Sequence, residues 1–210
     1  MMTKSKKGKA RSFEKSEEML LDYSLTLVMS VWGEGFCVSS FFGNLSDEER
    51  QESEGIIFFF TEMMFNYFGL TPDQWDEDSM NECCVYLFPE KIAEGPEFFR
   101  SIVPVLSAFF LYLEEQDLLQ NAGAMAHDIR KLHASILERS SDPDNWGMAK
   151  RFVMTARADG IDITDAKAVR KYNEAYNRKV LKEGPESSMF KDAPHDFFLD
   201  RPGKKHARKR

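Results

Sequence analysis

"PEFFRSIVPVLSAFFLYLEE", Pro96 to Glu115, is the stretch on which the fold turns. Phe98, Phe99, Ile102, Val103, Leu106, Phe109, Phe110 and Leu113 recur at three- and four-residue intervals, which stacks them on one face of an α-helix. Pro96 suits the first turn, where a missing N–H costs nothing. Pro104 lies inside, removes one backbone bond and predicts a kink. The apolar windows at 98–113 and 56–70 ("IIFFFTEMMFNYFGL") fall short of the ~20 residues of a bilayer span and contain Arg100 and Glu62. Both read as core helices, with no membrane segment.

The same periodicity extends outward in both directions. Upstream, Leu20, Leu21, Leu25, Val28, Val31 and Trp32 predict a helix from about Phe13 to Trp32, stopped by "GEGF". "SDEE" offers Ser46 as a cap with Glu49 three residues on, opening a helix that runs to Gly69. "TPDQ" repeats the signature with Thr71, Pro72 and Gln74, and "SMNE" (79–82) restarts a helix that "FPE" (88–90) ends. Downstream, Ala122, Met125, Ile129, Leu132 and Ile136 form a narrower stripe, and "SDPDNWG" (141–147) is a clear break. A helix from Trp146 to Ala158 stops at Gly160, and Thr164 caps a last one from Asp165 to Lys182. No segment alternates as a strand does, and no repeat of solenoid period occurs. The expected fold is all-α: a single globular bundle of six to eight helices over residues 13–184, between a basic N-terminal arm (1–12) and a C-terminal tail (185–210), both disordered.

Charge supports that division. The formal net charge of the 210 residues is −7. Residues 1–11 carry five basic side chains and 201–210 carry six, with no acid in either arm. All 35 carboxylates lie between, where the net charge is −18. Like-charge blocks beside Gly and Pro repel themselves and read as tails. The basic start leads into "SFEKSEEML" (12–20), where charges replace the apolar run of a signal peptide, so a cytoplasmic protein is expected.

Few residues present themselves for chemistry. Cys37, Cys83 and Cys84 form neither a disulfide framework nor a zinc spacing, and the adjacent pair reads as core filling. His127 and His133 stand about 120° apart on one helix and cannot share an ion; His127 faces solvent and His133 is expected to be partly buried on the flank of the stripe. Asp142 and Asp144 mimic the start of a calcium loop, but Trp146 and Val153 occupy positions that need oxygen ligands. No phosphate, dinucleotide, zinc-protease or nucleophile-elbow motif occurs, and no cofactor or metal is expected.

The last helix and the tail offer more. Opposite Val169, Tyr172, Tyr176 and Val180 stand Lys167, Lys171, Arg178 and Lys182, within about 60° of one another and bordered by Glu174. Lys204, Lys205, Arg208, Lys209 and Arg210 extend this charge into the tail, the composition that phosphate contacts need. Between them, "SSMFKDAPHDFFLD" (187–200) carries Met189, Phe190, Phe197, Phe198 and Leu199, which dock either on the domain or on a partner. The expected function is a non-enzymatic protein-interaction module with a protein partner. One alternative is an accessory nucleic-acid-binding protein using the basic helix and tail. A second is an enzyme whose site gathers scattered carboxylates around His133.

Overall fold

In the computed structural model, residues 19–183 are described, and among them the chain forms eight helices and no strand. These are α1 (residues 19–37), α2 (Ser40–Gly43), α3 (Asp47–Phe68), α4 (residues 77–91), α5 (Pro96–Glu115), α6 (residues 122–141), α7 (Met148–Ala158) and α8 (Ala166–Glu183). The expected all-α class is the observed one. Contacts divide the chain into two compact units, Met1–Trp146 and Gly147–Arg210, parting inside the Asp- and Pro-rich break. The first holds α1–α6, the second α7 and α8.

In the first unit α5 is the central element, packed against α3 and α6. All eight residues of its expected apolar face are buried, and so are Val105, Tyr112, Ser101 and Ser107, so burial extends well beyond that face and leaves one outer stripe, exposed at Glu97, Arg100 and Glu115 and half-buried between them. It runs without interruption through Pro104. At 20 residues it is long and apolar enough to cross a membrane, which corrects the shorter window read from sequence; in this fold it is a largely buried core helix. Aromatic rings lock its neighbours on. Phe36 meets Phe109 edge-on at 5.3 Å and Phe42 at 5.4 Å, while Phe60 packs on Phe110 at 5.8 Å and on Trp75 at 5.0 Å.

Several helix boundaries follow the expected chemistry. Ser46 Oγ accepts from Glu49 N at 3.3 Å, Ser46 N donates to Glu49 Oε2 at 2.7 Å, and Gly69 closes α3 at φ 72°. Others differ. "GEGF" does not end α1, which continues to Cys37 with Tyr112 packed where a side chain of Gly35 would stand. Thr26–Trp32 within α1 is π-helical, and the wider turn leaves Val31 exposed, as Leu20 also is, while Val28 and Trp32 are buried. "TPDQ" forms the expected box, with Thr71 N donating to Gln74 Oε1 at 3.2 Å and Pro72 at the first position, but the helix it opens is a single 3-10 turn, Pro72–Gln74. Asp76, not Ser79, caps α4, accepting from Ser79 N at 2.7 Å, and that helix passes through "FPE" to Lys91.

In the second unit Phe152 of α7 packs on Tyr172 and Tyr176 of α8 at 5.6 and 5.5 Å, and Tyr172 Oη donates to Asp159 Oδ2 at 2.6 Å. Gly160 turns the chain at φ 74°. The start of α8 corrects the expected cap: Asp165 Oδ1 accepts from Lys167 N and Ala168 N at 2.8 and 3.2 Å, while Thr164 Oγ1 donates to Asp162 Oδ1 at 2.7 Å. The two arms, and with them residues 189–199, lie outside the described residues.

Candidate functional site

The kink-prone middle of α5 borders a shallow groove of about 350 Å³ in the first unit. Its floor is α5: Val103 and Ser107 are buried, whereas Pro104, Ala108 and Leu111 are half-buried and present carbon to the opening. One wall is Phe41, Asn44 and Leu45 at and just after α2; the far end is Arg130 of α6.

Short-range chemistry fixes each part. Ser39 starts α2 by accepting from Phe42 N at 3.3 Å, and its own hydroxyl donates to Phe36 O at 2.7 Å. Arg50 of α3 then ties the wall down: its guanidinium donates to Gly43 O at 3.2 Å and to Leu45 O, and pairs with Asp47 at 2.5 Å. A helix end so short leaves carbonyls without intrahelical partners, and an arginine that satisfies two of them makes the wall rigid. At the far end Arg130 Nε donates to Ser107 Oγ at 2.8 Å.

Arg130 begins a single 3-10 turn, Arg130–Leu132, that joins the two halves of α6. Three residues at about 120° instead of 100° turn the following helix by roughly 60°. His133 therefore stands exposed, which corrects the partly buried position expected of it, and His127 is exposed as expected. Among the described residues no three His, Cys, Asp or Glu side chains are placed to hold a metal ion. Asp142 Oδ1 and Oδ2 accept from Asp144 N and Asn145 Nδ2, both at 3.0 Å, which is turn chemistry. Cys83 and Cys84 are fully buried in a π-helical part of α4, and burial, with Cys84 beside it, pushes the Cys83 thiol up and away from reactive thiolate.

The structure brings Lys167, Lys171 and Arg178 to the exposed side of α8, with Arg178 Nε donating to Glu174 O at 3.1 Å. Lys182 belongs to α8 but its side chain is outside the described residues, as are Lys204, Lys205, Arg208, Lys209 and Arg210. The groove was missed in sequence because its parts come from three helices. Its one local signal was Pro104 inside an apolar face. The chain matches no protein-family model, no curated protein and no solved structure.

Proposed function

We propose that this protein is a non-enzymatic interaction module whose first unit receives an apolar segment of a protein partner in the groove between α2, α5 and α6. The observation that carries this reading is a half-exposed run of carbon surface, Pro104, Ala108 and Leu111, at the middle of a helix whose fully exposed residues, Pro96, Glu97, Arg100, Glu114 and Glu115, lie toward its two ends. Helix and strand segments commonly bind in grooves of this kind, with alternate apolar side chains as anchors. Phe41 on the wall and Leu111 on the floor supply carbon surface for such anchors, and Asn44 supplies a polar rim.

The test is selection of short random peptides against the folded full-length protein, followed by binding to Ala108→Gln, which fills the groove without adding charge. Recovered peptides should bind the variant at least about tenfold more weakly, with unchanged circular dichroism. Leu111→Ser serves as a second, smaller perturbation of the same surface. Peptides indifferent to both substitutions would refute the groove as the docking site.

A second reading is favoured by the division of charge between the units. Residues 147–210 hold 16 basic and 9 acidic side chains, a net of +7, whereas residues 1–146 stand at −14. The acidic charge that would repel a polyanion is thus concentrated in the unit without the basic helix. This supports accessory nucleic-acid contact by Lys167, Lys171 and Arg178 with the tail, through phosphates and without base readout.

A further inference from the structure

We infer that the segment taken by the α2–α5–α6 groove carries an Asp or Glu side chain next to its apolar residues, and that Arg130 receives this carboxylate. The inference rests on the docking reading above and names the partner's chemistry. Among the described residues Arg130 is the only charged one lining the groove. Its Nε is committed to Ser107 Oγ at 2.8 Å, which anchors the guanidinium beside the groove and leaves the donors of its two terminal nitrogens for a further partner.

Most other described cations of this unit are engaged elsewhere: Arg50 pairs with Asp47, Lys91 with Glu90, Arg100 with Glu48 and Glu97, and Lys131 with Asp128, while Arg139, which forms no ion pair, stacks on the Tyr86 ring at 4.4 Å and does not line the groove. Among the described residues Arg130 forms no ion pair, although the unit around it is crowded with acids. A planar fork held in place beside carbon surface suits a carboxylate that arrives with apolar neighbours. A phosphate is the poorer fit, because phosphate sites gather several donors and the neighbouring Lys131 is held by Asp128.

Peptides recovered against the full-length protein, with amidated C-termini, are resynthesised with each Asp as Asn and each Glu as Gln. Calorimetric titration of wild type should show one position where the amide weakens binding about tenfold, the scale of a charge-assisted hydrogen-bonded pair. On Arg130→Gln the acid and amide forms should bind within about twofold of each other. Arg130→Lys, which keeps charge without the fork, should retain about a threefold preference and stands in if Arg130→Gln fails to fold. Peptides that are sensitive to Ala108→Gln but indifferent to every amide replacement overturn this inference and leave the docking reading in place. An acid preference that persists undiminished on Arg130→Gln also overturns it. Loss of Ala108→Gln sensitivity overturns the docking reading itself.

Discussion

Gly35 has no side chain because Tyr112 occupies the space one would need: a Cβ there would lie 2.0 Å from the phenol oxygen. Gly55, midway along α3, has its nearest neighbour at 3.8 Å, an ordinary contact. The two glycines therefore predict opposite outcomes for the same substitution. Gly35→Ala should destabilise by about 1–3 kcal/mol through overpacking, and Gly55→Ala should stabilise by about 0.5–1 kcal/mol through helix propensity, both read by chemical denaturation. Lys150 supplies a pH dependence. It is buried, and desolvation pushes its ammonium down to about 8. The unfolded chain keeps that proton up to about pH 10.4, so between pH 8 and 10 it binds more protons than the folded chain, and stability rises with pH. Lys150 should contribute a rise of about 2 kcal/mol over that window, seen as the difference between wild type and Lys150→Met; parallel curves would contradict it. The caps at Ser46 and Gly69 were legible in sequence because each depends on neighbours within a few residues. Gly35 was not, since its reason lies 77 positions away in Tyr112.

Departures from regular α-helix decide what each element presents. The π-helical turn of α1 buries Val28 and Trp32 yet leaves Val31 exposed, and the 3-10 turn of α6 aims Arg130 at Ser107 while rotating His133 outward. A constant 100° per residue predicts that a helix exists and which stripe is buried, but it carries no information on where the turn widens or tightens. Hence the stripe Met125, Ile129 and Ile136 was placed correctly and His133 beside it was not. The short helix α2 depends on Arg50 in the next element. Arg50→Ala should cost about 1 kcal/mol and speed hydrogen exchange at the amides of Gly43 and Asn44, with little change at α5. Equal protection in the variant would show that the wall does not depend on Arg50. In the core, Phe109→Ala should cost about 3–5 kcal/mol, because the ring is fully buried between Phe36 and Phe110.

Across the whole molecule, the opposed charges of the two units separate the two functional readings experimentally. If the second unit contacts nucleic acid, binding of mixed DNA and RNA fragments should be weak and indifferent to sequence, with a log-log salt slope of roughly −4 to −5 on a duplex. Removal of residues 201–210 should lower both affinity and slope, and no binding by the full-length protein at ~50 mM salt would end that reading. Such basic stretches were legible from composition, whereas the groove became visible only once α2, α5 and α6 were assembled, since none of them contains it. In the proposed function this groove is where a partner's segment sits. The most direct measurement follows the methyl resonances of Val103, Ala108 and Leu111 by NMR as a selected peptide is titrated into the full-length protein. Docking in the groove predicts saturable shifts concentrated on these three residues, with Val31 of α1 and Val169 of α8 unmoved. Shifts at Val31 or Val169 with Val103, Ala108 and Leu111 unchanged would contradict it.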